Sequence, residues 1–330
     1  MHAPGLPRFP ALHQHSRQRG MTLVELMIAA AIGLVVVLAA TATFLGSRQL
    51  FAANAQAQAV EDSLRFAASV VRVAVRQAGY SDYAPDHAGA DGTVVIGSSA
   101  NLTAAPDDLF ALDIVGATNA RVGLTGESHG SHNSRGVNGS DSLRVRFFGR
   151  SRAGGGDAEP DGTMIDCMGI AQAGPADGEP SLADRAWSFF FVAEAADREP
   201  ELYCKYRSDG QGTFKSEPLA RGIEVFKVAY AYDGNGDGVP ERWIDAAQLE
   251  SQAGSTAAIN GEWRKVVGLR IGMVARSGPG IGEARTQGEL LYPLGTDFPG
   301  VSFMPPADGR LRRTATFTVM LRNVLKETGP

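Results

Sequence analysis

The stretch Arg17-Gln-Arg-Gly-Met-Thr-Leu-Val-Glu-Leu-Met-Ile-Ala-Ala-Ala-Ile-Gly-Leu-Val-Val-Val-Leu38 sets two arginines and one carboxylate ahead of a long apolar run. From Leu26 to Leu45 there is no charge, and as a helix at ~1.5 Å per residue this run is about 30 Å long, the thickness of a bilayer core. Arg8, Arg17 and Arg19 precede it without any acid. The excess of positive charge on that flank predicts a cytoplasmic N-terminus, with the rest of the chain across the membrane. Two simpler segments share these features. One is a cleaved signal peptide ending near Ala40-Thr41-Ala42, though its apolar region is unusually long. The other is a plain signal anchor, which leaves Glu25 without a purpose. A carboxylate at helix-centre depth costs roughly 2.5 to 3.5 kcal/mol, less near an interface, so Glu25 needs a partner. Thr22-Leu-Val-Glu25 supplies one as a capping box, the glutamate reaching back to a free backbone N–H at the helix start. A second partner exists if the chain is cut between Gly20 and Met21, because the new α-amino group of Met21 is a cation at the same depth.

Beyond Leu45 the pattern turns amphipathic. Val60, Leu64, Ala67, Val71, Val75 and Ala78 recur at helical spacing, with Glu61, Asp62, Arg65, Arg72 and Arg76 mostly off that stripe. No proline interrupts Met21 to Gly79, so one helix of roughly 55 residues is predicted, closed by Gly79. After Tyr80 the signals are strands and turns. The candidates are 109–115, 143–148, 187–193, 202–206, 223–232, 266–275 and 315–321. Leu143, Val145 and Phe147 share one face, as do Ala315, Phe317, Val319 and Leu321, which predicts antiparallel sheets with one side wet. Long polar connections at 123–141, 149–162 and 278–288 read as surface loops. The predicted class is α+β: a long N-terminal helix, first transmembrane and then amphipathic, packed on a domain rich in antiparallel sheet. Forty glycines and only 20% charged residues fit many short strands joined by turns. Without the three leading arginines, 28 basic residues face 36 acidic ones, a balance that repels phosphate backbones and argues against nucleic acid as a partner.

A basic leader, Gly20, then Met21-Thr-Leu-Val-Glu25 and an apolar helix resemble the type IV prepilins, whose signature is shared by the pseudopilins of type II secretion. The resemblance implies cleavage after Gly20 by a prepilin peptidase and methylation of the new N-terminus at Met21, where phenylalanine is usual. It also implies pairing of Glu25 with such a terminus during assembly. The implied division is a leader (1–20), a transmembrane and filament-core helix (21–45), an amphipathic extension (46–79) and a β-rich pilin domain (80–330). Within that group the remainder is similar to the PilW class of minor pilins. The matching pieces are Leu64-Arg-Phe-Ala67, Arg76-Gln-Ala-Gly-Tyr80, Asp166-Cys-Met-Gly169, Leu202-Tyr-Cys204, 223–242 and Arg313-Thr-Ala-Thr-Phe-Thr-Val-Met-Leu-Arg-Asn323. That similarity implies a structural assembly protein, not an enzyme. It implies a start in the bacterial inner membrane and then a place in a pilus. The implied partners are other minor pilins, the major pilin, a tip adhesin and the prepilin peptidase. A large type II secretion pseudopilin is the nearest alternative, separated from a pilin by whether deletion abolishes protein export or twitching.

Cys167 and Cys204 are the only cysteines. On the exported side an oxidising compartment favours their pairing, which closes a loop of about 38 residues and restricts the unfolded chain by roughly 4 kcal/mol; two separate thiols are the alternative. Asp233-Gly-Asn-Gly-Asp-Gly-Val-Pro-Glu241 presents two readings. As the front half of an EF-hand loop it offers Ca2+ the side chains of Asp233, Asn235, Asp237 and Glu241 and the Val239 carbonyl, but position 12 is Ile244, leaving Asp245 to substitute. As an Asx-Gly turn it joins two strands with no ion, and no cofactor is required. Gly126-Glu-Ser-His-Gly130 matches the nucleophile elbow of serine hydrolases, yet Ser128 is followed by turn-forming residues where the elbow needs a helix. A periplasmic hydrolase is therefore a remote alternative. His129 and His132 could share a metal ion, but two histidines in a polar loop are more simply solvated, and His87 is the only other histidine after the leader. Asn101-Leu-Thr103 and Asn138-Gly-Ser140 are glycosylation triplets by pattern alone.

Overall fold

The computed structural model describes residues 20–80, 113–152, 159–174, 185–208, 213–255, 258–279 and 288–323. Residues 1–19 with their three arginines, His87, the Asn101 triplet, positions 109–112 of the first predicted strand and parts of two predicted loops (153–158 and 280–287) lie outside the described residues. The chain divides into two compact units, Met1–Ala52 and Ala53–Pro330.

Helix α1 (Leu23–Gln77) has the length its proline-free pattern predicts. In the first unit its large apolar side chains, from Leu23 to Phe51, are all more than half exposed. It is the one helix among the described residues long and apolar enough to cross a membrane. The Thr41 hydroxyl donates to the Val37 carbonyl and the Thr43 hydroxyl to that of Ala39 (2.8 Å), so neither needs water. In the second unit the predicted stripe is the buried one: Val60, Leu64, Ala67, Val71, Val75 and Ala78 all lie in the core. Each large aliphatic side chain there contributes about 1.5 to 3 kcal/mol. The helix stops at Gly79, whose φ is 69°. A Cβ there would sit 2.7 Å from Asp113 Oδ2 and 2.9 Å from the Asn323 carbonyl, so left-handed backbone and close packing both require glycine.

Strands β1 (Ile114–Ala117), β2 (Ser142–Phe148), β3 (Arg185–Glu194), β4 (Pro200–Arg207) and β5 (Phe214–Arg221) form one antiparallel sheet in chain order. Strands β6 (Ile223–Tyr232), β7 (Arg242–Ile244), β8 (Val266–Arg276) and β9 (Arg312–Met320) form a second, in the order β7-β6-β8-β9. Two short helices, α2 (Ala246–Ser251) and α3 (Ile259–Trp263), connect β7 to β8. The fold is α+β, as expected. Leu143, Val145 and Phe147 join Phe190, Leu202 and Cys204 from the first sheet, and Ile223, Phe226, Leu269, Ile271 and Met273 from the second, in one core with the α1 stripe.

The expectation of a wet outer face fails for the first sheet. Every residue of β2 is buried, including Arg144 and Arg146. Alternation holds, but the central outward positions of β2 to β4 are mostly cations and aromatic rings that cover one another, joined by Phe214 of β5. Trp187, Phe189 and Phe214 form a separate cluster. The Arg144 and Arg146 guanidinium carbons lie 5.4 and 4.8 Å from the Trp187 ring, and Lys205 Nζ lies 4.6 Å from that of Phe189. Cations thus gather on this face although no basic run marks them in the sequence.

Candidate functional site

At the start of α1, Thr22 and Glu25 form the reciprocal arrangement their spacing predicts. The Glu25 Oε2 atom accepts from the Thr22 backbone N–H at 2.9 Å and from its hydroxyl at 3.0 Å, while Thr22 Oγ1 accepts from the Glu25 N–H at 3.3 Å. A carboxylate in the first turn also faces the positive end of the helix. Gly20 and Met21 lie just outside the helix in non-helical backbone, both exposed, and a Cβ on Gly20 would meet nothing within 4 Å. An accessible peptide bond in non-helical backbone therefore stands directly before a capped apolar helix, with the acid four residues past it.

Cys167 and Cys204 form a disulfide that ties the turn after Asp166 to the inner face of β4. Asp166 shapes that turn: its Oδ1 accepts from the N–H groups of Met168 (2.8 Å) and Ile170 (3.0 Å). Burial pushes its carboxyl above the usual range, opposed by those same bonds.

The Asp233–Glu241 segment joins β6 to β7, and its oxygens turn inward to backbone. Asp233 accepts from the N–H groups of Gly236 (2.7 Å), Asp237 (3.1 Å) and Gly238 (2.7 Å). Glu241 accepts from Gly234 (2.8 Å) and Asn235 (3.3 Å), and Asp237 from Val239 (2.7 Å). Among the described residues no three His, Cys, Asp or Glu side chains converge to hold a metal ion. Asp245, the expected substitute ligand, has another task. It caps α2, accepting from Gln248 N at 2.8 Å while Gln248 returns to the Asp245 N–H, so its oxygens face the helix. The spacing Asp245-Ala-Ala-Gln248 is itself a capping box, a pattern that competes with the ion-loop reading of the same aspartate.

Ser128 does not sit on an elbow. It lies in coil, its Oγ accepts from the Gly130 N–H at 3.1 Å, and its carbonyl accepts from Lys205 Nζ at 2.7 Å. His129 is pushed down to about 3 by burial and then by the Arg144 charge, so it is neutral at any physiological pH. His132 has both ring nitrogens engaged, Nδ1 with the Thr118 N–H and Nε2 with Glu250, each at 3.0 Å. The two histidines are thus parts of a packed loop. Asn138 donates from its side-chain amide to the Glu224 carbonyl at 2.9 Å, so that triplet serves packing.

Asp141 carries no pattern that would single it out before the fold is known. It sits where β6 runs past its short neighbour β7, and closes that bare edge. Its N–H donates to the Phe226 carbonyl (2.8 Å), and its Oδ2 accepts from the Val228 N–H (3.0 Å). Its Oδ1 accepts from the Asn119 N–H (2.9 Å) and Lys227 Nζ (3.0 Å).

A family model described as Type IV Pilus-assembly protein W matches residues 189–323, and one described as the prokaryotic N-terminal methylation motif matches residues 15–41. No curated protein matches the chain. Among solved structures, a type IV-like pilin from Thermus thermophilus aligns at 16% identity and a TM-score of 0.33, over 68% of this chain and 94% of its own.

Proposed function

We propose that this chain is a type IV prepilin, a minor pilin of the PilW type, which is cut between Gly20 and Met21 and then assembles through α1 into the complex that starts or caps the filament. The observation that carries this reading is the Gly20 to Glu25 geometry inside a matched methylation motif: an exposed peptide bond, a capped helix start and one acid ahead of an uncovered apolar helix. Before cleavage Glu25 is satisfied by Thr22. After cleavage the Met21 amine, on this chain or a neighbour, offers it a cation, which sets the register of one helix against the next while offsetting a buried charge.

The roles assigned are mechanical. Residues 21–45 anchor the chain in the inner membrane and later pack among other pilin helices; 46–79 carry the folded domain; 80–330 face the periplasm and then the cell exterior. The partners would be other minor pilins, the major pilin, a tip adhesin and the prepilin peptidase, whose substrate this chain is. We assign it no catalysis of its own, since Ser128 and the histidines are consumed by loop packing. The Asp233–Glu241 segment is read as a turn that folds without calcium, on the strength of its backbone bonds.

Mass spectrometry of the exported chain is expected to show an N-methylated Met21 as the first residue. Glu25→Ala is expected to leave cleavage intact while sharply reducing surface pili. A mature chain beginning elsewhere overturns the cleavage assignment, and normal piliation of Glu25→Ala overturns the assembly role. Loss of protein export with twitching preserved would move the protein to the secretion alternative.

A further inference from the structure

Three of the four outer strands of the two sheets are protected against pairing with another chain. Strands β1 and β7 have only four and three residues. Strand β5 is interrupted by Pro218, has an extra residue, Leu219, where its register with β4 shifts, and carries Lys215 and Glu217. Where β6 outruns β7, Ser140 and Asp141 take up its free backbone groups. Strand β9 is neither short nor broken by proline or a bulge, and its only charges, Arg312 and Arg313, stand at its first two positions. It pairs with β8 over nine consecutive residues, from Arg276↔Arg312 to Gly268↔Met320, without a bulge.

Register shows which way its backbone groups point. Just beyond the strand the Leu321 N–H donates to the Val267 carbonyl (2.9 Å), and at the other end the Ser277 N–H donates to that of Leu311 (2.8 Å). Hydrogen-bonded pairs in an antiparallel ladder recur every second residue, so Arg313, Ala315, Phe317 and Val319 bond to β8. Thr314, Thr316, Thr318 and Met320 then present their N–H and C=O groups to the outer edge, where no backbone partner meets them among the described residues. All four are exposed and uncharged, and the three threonines suit an extended partner.

The geometry points to β9 as an acceptor strand for an extended segment of a different protein, one with an uncharged, β-branched centre and carboxylates at its ends. The occupant follows from charge. Arg312 is held by Glu224 and Asp308, but Arg313 and Arg322, nine residues and about 30 Å apart, are exposed and have no acidic partner among the described residues. A second copy of this chain, antiparallel or parallel, would set arginine against arginine at both ends. An acid-flanked strand meets both. This rests on the assembly reading and deepens it by naming the chemistry of one partner surface, and it is argued from the geometry of the sheet edge and the charge at its two ends.

The test uses the full chain in detergent micelles and a fluorescein-labelled peptide, Glu-Glu-Val-Thr-Val-Thr-Val-Glu-Glu, read by anisotropy. Binding is expected, and N-methylation of alternate peptide amides, which blocks one strand edge, is expected to weaken it roughly tenfold or more. Lysine in place of the glutamates should weaken it comparably. Thr318→Pro removes only an outward N–H and should abolish binding with the thermal midpoint unchanged. The N-methylated peptide carries the same information if that variant does not fold. No binding of the parent peptide overturns the proposal, as does equal binding of the N-methylated or lysine-flanked forms. Disulfide dimers formed readily by Thr316→Cys copies would overturn the choice of a different protein as occupant. None of these outcomes bears on cleavage after Gly20.

Discussion

Asp141 and Tyr230 are both buried polar residues in the same part of the core, and they have opposite standing. Asp141 satisfies two backbone N–H groups and an ammonium, and burial pushing its carboxyl up is countered by Lys227 and those N–H groups. The Tyr230 hydroxyl has no hydrogen-bond partner among the described residues, and it comes so near β1 that a Cβ on Gly116 would collide with it. Removing Asp141 orphans several donors at once and leaves Lys227 without its carboxylate, whereas removing the tyrosine oxygen orphans nothing. Asp141→Ala is therefore expected to cost roughly 3 kcal/mol or more and Tyr230→Phe to be neutral or slightly stabilising. Denaturant titration of the full chain in detergent can report both, because Trp187, Trp243 and Trp263 all lie in the second unit. Similar losses in the two variants would refute the distinction. Nothing in the sequence marks Asp141, since its task is set by how far β7 falls short of β6.

At the scale of elements, what could be read in advance was periodicity. Helix α1 and the long strands β2, β3, β4, β6, β8 and β9 follow from apolar residues at spacings of 3.6 or 2, because one face of each meets the core. Strand β5 escaped because Phe-Lys-Ser-Glu-Pro-Leu-Ala-Arg carries proline and charge, which an edge strand tolerates and a central strand does not. Strand β7 has only three residues, too few for any period. The β6–β7 turn was legible as a choice between ion loop and Asx turn, and the bonding of Asp233 favours the turn. The turn should then form without calcium. Thermal midpoints in excess calcium and in excess chelator are expected to coincide, while Asp233→Ala, which deprives three backbone N–H groups of their acceptor, is expected to cost about 2 kcal/mol. A midpoint raised by calcium in the wild type and not in that variant would restore the ion loop.

Across the whole second unit, the two sheets are joined by a shared core and by one network of charge. Glu199, in the β3–β4 turn of the first sheet, accepts from Arg276 Nε (2.9 Å) on β8 and from Arg310 Nη1 (2.8 Å) just before β9. Arg276 reaches on to Glu224 of β6 (3.4 Å), which Arg312 of β9 also holds (2.5 Å). Arg312 closes the chain of contacts by gripping both Asp308 oxygens, at 2.7 and 2.8 Å. Hydrogen bonds from Arg312, against a smaller opposing effect of burial, hold the Asp308 carboxyl down at about 2. Glu199 is lowered as well, the two arginines outweighing its burial. Because both carboxyls are lowered on folding, the unfolded chain binds more protons in acid, so their stabilisation is complete above the ordinary carboxylate range and lost as pH falls toward 2. Between pH 4 and 2 the wild type is thus expected to lose stability faster than Asp308→Asn, which at neutral pH should already be weaker by roughly 1 kcal/mol after allowance for the partial exposure of Asp308. Equal slopes for the two proteins across that window would mean that the Asp308–Arg312 pair does not stabilise the fold.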